Sequence, residues 1–197
     1  DDLIYDFRAY GAQMQVMDPI NRSVKAGTPD FLQTNDVEKV ADNVVRVRFG
    51  YATNNSKAIA LGDSIVLKYR GTHGMHLRGV QDSVLENVTI YSAPHMGIVE
   101  ADGGGGNIYR NVKIIPGDPP AGATRERLLS ANADAFHSAS MERGPILEGC
   151  FFEMMGDDGI NIKGHFAYIV DVIGDEVIIA ARNVSAIQQG DTLQLLD

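Results

Sequence analysis

Residues 84–90 read VLENVTI, and 24 positions later residues 108–114 read IYRNVKI. A third version, ILEGCFF, follows at residues 146–152, a further 38 positions along the chain. Each copy is short, apolar at alternate positions and bounded by turn residues, which is typical of a β-strand. Short strands recurring every 22–24 residues without intervening helical patterns indicate a solenoid.

A second series gives nearly the same spacings. It has four pairs of a small and an apolar residue, separated by 23, 38 and 24 positions: Gly74-Met75, Gly97-Ile98, Ala135-Phe136 and Gly159-Ile160. Both series contain the same excess of about 14 residues, which falls on the Pro- and Gly-rich residues 116–127 and predicts an inserted loop. We therefore predict an all-β protein built on a right-handed parallel β-helix. A leucine-rich repeat would need a leucine and asparagine ladder that is absent, and a β-sandwich stays open.

Two β-hairpin modules flank the predicted coils. Residues 40–70 and 165–197 both show an apolar run, a Gly-Asp pair and then an alternating strand. We predict that they pack on each other as a small barrel-like subdomain, although two unrelated hairpins with the same turn dipeptide would also fit. Residues 1–39 are predicted to be lead-in strands and loops, and residues 71–164 to be the coils.

Composition excludes several functional classes. The 197 residues suffice for one domain with a core and a small appended part, and the formal charge of −9 argues against a nucleic-acid partner. No apolar run approaches the roughly 20 residues of a membrane helix. The single cysteine, Cys150, excludes an internal disulfide and is predicted to be buried and inert. Without an initiator methionine or a signal-like start, we expect a mature form or an excised portion.

The repeat brings three acids together. When the column of small residues is aligned, the column before it reads His73, Met96, Asp134, Asp158, and the column two positions after it reads His76, Val99, His137, Asn161. Equivalent positions in adjacent coils lie about 4.8 Å apart. Asp134 should therefore stack on Asp158, with Asp157 beside them and with His137 and Asn161 facing the same region.

Such a cluster points to acid–base chemistry. Closely spaced carboxylates disfavour full ionisation, so one should retain its proton, and a protonated and an ionised carboxyl together can hydrolyse a glycosidic bond. The alternative is that Asp157 and Asp158 only cap a turn before Gly159. That alternative gives no reason for Asp134 in the adjacent coil.

Other polar residues are assigned lesser roles. The spacings of the histidines match no compact zinc site, so we expect neither metal nor cofactor. The run Gly103–Gly106 precedes no helix and is predicted to be a turn that lets another group approach the backbone. As candidate substrate-binding residues we take six side chains: His137, Asn161, His73, His76, Lys163 and, from the inserted loop, Arg125.

Residues 132–137 (NADAFH), 144–152 (GPILEGCFF) and 155–162 (MGDDGINI) resemble the active-site region of parallel β-helix glycosidases. The closer resemblance is to the α-1,3-galactosidases of glycoside hydrolase family 110, and the more distant one is to the polygalacturonases of family 28. It extends over about residues 40–197. The polygalacturonase Gly-His-Gly and Arg-x-Lys motifs are missing here, which weakens the case for a uronic-acid substrate.

The resemblance implies inverting, exo-acting release of terminal α-linked galactose without a cofactor. By position it makes Asp134, Asp157 and Asp158 the catalytic acids, with Asp157 protonating the leaving oxygen and the other two activating water. It implies a glycan substrate and an extracytoplasmic location, and leaves self-association open. The alternatives are a pectin-type hydrolase and a β-helix, or an incomplete fragment of one, that only binds carbohydrate.

Overall fold

The computed structural model describes residues 13–42, 44–49, 59–68, 71–181, 187 and 189–195. Within these ranges the chain is all-β and has no helix, and accordingly none that is long and apolar enough to cross a membrane. The strands form three groups: a mainly antiparallel N-terminal sheet, a stack of parallel coils, and a hairpin that follows the coils.

The coils contain ten short strands in three parallel sheets. Their bounds are β6 Met75–Arg78, β7 Val84–Glu86, β8 Thr89–Tyr91, β9 Ile98–Ala101, β10 Ile108–Arg110, β11 Lys113–Ile115, β12 Phe136–Ala139, β13 Ile146–Glu148, β14 Phe151–Phe152 and β15 Ile160–Lys163. The sheet orders are β13-β10-β7, β14-β11-β8 and β15-β12-β9-β6, so each sheet takes one strand from each successive coil. This is a β-helix-like solenoid, and the leucine-rich repeat and β-sandwich alternatives do not fit it.

The predicted repeat agrees with the strand register residue by residue. Ile108 pairs with Val84 on one side and with Ile146 on the other, at the predicted offsets of 24 and 38. In the second series Ile98 pairs with Met75 and Phe136. The core of the coils is centred on Ile98, Tyr109, Val112, Ile114 and Phe136, all at most 1% exposed, whereas Val84 and Ile146 of the first series are exposed.

The small-residue column is explained by close approach. A Cβ on Gly97 would lie 2.6 Å from the carbonyl oxygen of Ala135 in the next coil and 2.7 Å from the Ile114 side chain. Gly105 in the glycine-rich turn meets the backbone of Arg143, whose carbonyl oxygen would lie 1.9 Å from an added Cβ. The prediction that this turn admits another group to the backbone is therefore confirmed.

A second kind of corner uses the left-handed backbone conformation. Asn87 and Asn111 have φ values of 57° and 49°, and Gly149 occupies the same position in the third coil with φ 62°. Asn111 Nδ2 donates a hydrogen bond to Asn87 Oδ1 at 3.2 Å, so the column holds two hydrogen-bonded asparagines followed by a glycine. Asparagine tolerates this conformation better than most residues.

Cys150 is free and half-buried, and it packs against the core. Its Sγ lies 3.3 Å from the carbonyl oxygen of Tyr109.

The N-terminal sheet joins the lead-in and the first module. Its strands are β1 Gln13–Asp18, β2 Ser23–Val24, β3 Leu32–Ala41, β4 Val44–Phe49 and β5 Ser64–Lys68. β1 pairs with β2, β3 and β5, and β3 pairs with β4. A boundary between residues 39 and 40 would thus cut β3. Residues 1–12 of the lead-in and residues 50–58 of the first module lie outside the described residues.

The predicted barrel of two modules is not formed by the described residues. β16, Ala167–Ile173, and β17, Glu176–Ala181, pair only with each other, around a turn at Gly174. Nearly all of their residues are exposed. Residues 191–195, predicted to form the last alternating strand, are not in a strand. The described strands of the first module pair with β1 and β3, and residues 182–186, 188 and 196–197 of the second module lie outside the described residues.

Candidate functional site

Three carboxylates meet where two adjacent coils turn into the sheet of β12 and β15. Asp134 lies two residues before β12, and Asp157 and Asp158 lie just before β15. The Ala135 N–H donates to the carbonyl oxygen of Asp158 at 2.9 Å, which keeps the two turns in register. One oxygen from each of the three carboxyl groups lies within 4.8 Å of the other two. The register of the repeat therefore brings the predicted acids together.

Two of these acids carry the same local contact. The His137 Nδ1 lies 2.6 Å from Asp134 Oδ2, and Asn161 Nδ2 donates to Asp158 Oδ2 at 2.8 Å. His137 and Asn161 are themselves paired across β12 and β15. A polar side chain three residues after each acid thus orients its carboxyl, and the pattern repeats from one coil to the next.

Burial differs across the cluster. Asp134 and His137 are 4% and 7% exposed, whereas Asp157 and Asp158 are exposed. The cluster therefore has a buried floor and an open mouth, as a site that admits one end of a glycan requires. Among the described residues, these three acids are the group of His, Cys, Asp and Glu side chains close enough to share a cation. Carboxyl acid–base chemistry at a glycosidic bond needs no cation.

A histidine cluster lies on the earlier coils of the same column. The His73 ring stacks on His95 with centroids 4.7 Å apart and meets His76 edge-on at 5.3 Å. Burial, then the nearby His76 and His137 rings, lower the pKa of His73 from its ordinary value. His73 Nδ1 is buried without a hydrogen-bond partner. The three rings therefore pack against one another on the coils that precede the acid cluster.

The contacts described for the other two candidate residues, Lys163 and Arg125, are with other parts of the chain. Lys163 is exposed at the end of β15, where it pairs with Ala139 of β12. Arg125 is exposed and donates to Ser64 Oγ of β5 at 3.3 Å, so the inserted loop packs toward the N-terminal sheet at this point. Arg127, from the same loop, lines a polar cavity of about 340 Å³ with Tyr91, Ser92, Gly117 and Asp118.

Sequence reasoning missed a buried carboxyl inside the coils. Glu100 is 0% exposed and accepts hydrogen bonds from Asn107 Nδ2 at 2.9 Å, Tyr109 OH at 2.7 Å and Ser138 Oγ at 2.7 Å. Burial, then the hydrogen bond to Glu100, raise the pKa of Tyr109 well above its ordinary value. The signal was present in the sequence, since Glu100 falls two positions after Ile98 and therefore on the same, inward face of β9.

Comparison with known proteins gives one relevant similarity. No protein-family model matches the chain. Alpha-1,3-galactosidase A of Shewanella woodyi (strain ATCC 51908 / MS32) is 26% identical over 114 residues, which are 57% of this chain and 18% of that relative. The matched part is thus under one fifth of the relative's length.

Proposed function

We propose that the chain carries the acid cluster of a glycoside hydrolase that releases terminal α-1,3-linked galactose. The single observation that carries the proposal is the convergence of Asp134, Asp157 and Asp158, with oxygens within 4.8 Å of one another, on adjacent turns of the β-helix-like coils. The similarity to an α-1,3-galactosidase supports the same substrate class. We also infer that the coils are right-handed, since parallel crossover connections almost always are.

The local contacts support a division of roles. Asp134 and Asp158 stack in adjacent coils, and each is hydrogen-bonded by the side chain three residues later. Because these contacts hold both carboxyl groups in fixed orientations, we assign this pair to binding and deprotonating water. Asp157, exposed beside them, is assigned to protonating the leaving oxygen.

The proposal includes inversion, which sets a requirement on the distance between the acid and the base. Acid and base of an inverting pair usually lie roughly 6.5–9.5 Å apart, and those of a retaining pair about 5–5.5 Å apart. The nearest oxygens of this cluster are closer than either. Inversion here requires Asp134 and Asp158 to hold the water jointly on one side of the sugar while Asp157 reaches the glycosidic oxygen.

The test is hydrolysis of an α-1,3-linked galactosyl disaccharide, followed by ¹H NMR during the first turnovers. Inversion releases β-galactose first, whereas retention releases α-galactose. Asp158→Asn should lower kcat by at least about 10³-fold, since general acid–base groups contribute about 10²–10⁴-fold each and this one also binds the water. Asp175→Asn, which removes an exposed acid in the turn of the β16–β17 hairpin, is the matched control and should leave kcat unchanged.

Several outcomes would count against the proposal. Near-wild-type turnover by Asp158→Asn would show that the acid cluster does not catalyse the reaction. Hydrolysis of polygalacturonate but not of galactosides would move the substrate class to pectin. Saturable glycan binding with no product would make the site a carbohydrate-binding groove.

A further inference from the structure

A lysine of the N-terminal sheet contacts the turn that carries Asp157. Lys68 is the last residue of β5 and is 1% exposed. Its Nζ donates a hydrogen bond to the carbonyl oxygen of Gly156, and Gln15 Nε2 from the neighbouring β1 donates to the same oxygen at 3.2 Å. That carbonyl belongs to the peptide bond joining Gly156 to Asp157. Two strands of a separate sheet therefore converge on the peptide unit that presents a candidate catalytic acid.

The rest of this peptide segment is held equally closely. The Gly156 N–H donates to the carbonyl oxygen of Ala131 at 2.8 Å, which ties the turn to the preceding coil. A Cβ on Gly156 would lie 2.8 Å from Lys68 Cε and 2.8 Å from the carbonyl oxygen of Asn132. Glycine is needed here because any side chain would displace the lysine or the backbone of the Asp134 turn.

Burial of an ammonium group has a chemical consequence. A buried charge is strongly destabilising unless it is both hydrogen-bonded and paired, and a carbonyl oxygen supplies only a dipole. Lys68 and Asp157 are each engaged in further interactions. Asp157 is the residue that directly follows the contacted carbonyl, which makes its carboxylate the candidate partner for this ammonium.

We propose that Lys68 is a positioning residue for Asp157: it fixes the Gly156–Asp157 peptide and pairs with the Asp157 carboxylate. The catalytic effect expected of Lys68 rests on the proposed function. The attachment of the Gly156–Asp157 peptide to Lys68, called the tether below, is a claim about the structure alone. The N-terminal sheet then sets where one of the three acids points. Because a misplacement of about 1 Å can cost about 10²-fold in rate, we expect Lys68→Met to lower kcat about 10–100-fold with little change in KM.

The test compares Lys68→Met and Lys68→Arg with a matched control, Lys25→Met. Lys25 lies in the same sheet region, and its ion pair with Asp63, 2.6 Å between Nζ and Oδ2, lies within the N-terminal part of the chain. Hydrogen exchange followed by mass spectrometry reports on the peptide covering residues 153–164. We expect exchange there to accelerate at least about 10-fold in Lys68→Met, to be partly restored in Lys68→Arg, and to be unchanged in Lys25→Met.

The pH–rate profile distinguishes a positioning role of Lys68 from a merely structural one. Lys68→Met removes a positive charge next to the acid cluster and so changes the electrostatic field at the reacting groups, so the shape of the pH–rate profile should change in Lys68→Met. A general loss of structure would lower kcat equally at every pH. Unchanged exchange over residues 153–164 in Lys68→Met would overturn the tether, and an unmoved pH profile would overturn the ion pair.

The two proposals can fail separately. If the wild-type chain releases no galactose, the proposed function fails while the exchange experiment still decides the tether. If Lys68→Met does not fold, as judged by circular dichroism, Lys68→Arg and Gln15→Leu replace it. Gln15→Leu removes the second donor to the Gly156 carbonyl and should accelerate exchange in the same peptide. Unchanged exchange in both would refute the tether.

Discussion

Replacement of Glu100 tests whether the buried hydrogen-bond network holds the coils together. Glu100→Ala would leave three inward-facing donors, on Asn107, Tyr109 and Ser138, without their acceptor. Each buried unsatisfied group costs about 1–3 kcal/mol. The two hydroxyl groups can rotate toward other acceptors. We therefore expect a value in the lower part of the summed range for the three donors, a loss of about 3–5 kcal/mol in the free energy of unfolding.

Glu100→Gln should be far milder. Its amide oxygen can replace Glu100 Oε2, which accepts from Asn107 and Tyr109. Its amide nitrogen then faces Ser138 Oγ, and that hydroxyl can accept a hydrogen bond as readily as donate one. We expect a loss of about 1 kcal/mol, since one charge-assisted set of bonds becomes neutral.

The assay is urea unfolding followed by circular dichroism, with equal m values required across the variants. Glu148→Ala is the control, because Glu148 is also a strand glutamate but forms an exposed ion pair with Arg110 at 2.6 Å. Exposed pairs contribute about 0–1 kcal/mol, so this change should be small. If Glu100→Ala and Glu100→Gln differ by less than about 1 kcal/mol, the network is not what stabilises this part of the core.

Two further predictions concern Tyr109 and Asn111. The pKa of Tyr109 is raised in the folded chain, so above the ordinary value of 10.0 the folded state binds more protons than the unfolded state. The free energy of unfolding should therefore fall as pH rises past about 10. Urea unfolding at pH 9 and 10.5 should show a smaller fall for Tyr109→Phe than for the wild-type chain. Asn111 has φ 49°, so Asn111→Ala should lose about 1 kcal/mol from left-handed strain. Asn111→Gly should lose less, as Gly149 in the same column indicates, and equal losses measured by urea unfolding would contradict the strain argument.

The register of the coils was predictable because the same short sequence pattern recurs in each coil. Each coil must bury an apolar residue at the same place, and each must use a small residue where the next coil's carbonyl approaches, as Gly97 does beneath Ala135. Two independent columns with the same offsets therefore determine which residues stack. Asp134 and Asp158 inherit their proximity from those columns, which is why three acids far apart in sequence could be placed together without a structure.

The relation between the hairpin modules was not predictable by the same means. Shared Gly-Asp turns specify two local hairpins and say nothing about which edges pair. In the described residues, β1 and β3 pair with the strands of the first module, and β16 and β17 pair only with each other. The lead-in strands showed no sustained periodicity, so their part in this sheet carried no sequence signal.

The N-terminal sheet contacts the coils on both sides of the turn that carries Asp134, and no periodicity could have shown this. On the earlier side it holds the inserted loop, where Arg22 donates to the carbonyl oxygen of Arg127 at 2.7 Å. On the later side it holds Gly156 through Lys68. The strand pairs β9–β12, β10–β13 and β11–β14 fix the register of the coils on either side of the inserted loop. The sheet adds a connection between that loop and the turn that carries Asp157, so it supports the acid cluster from outside the coils.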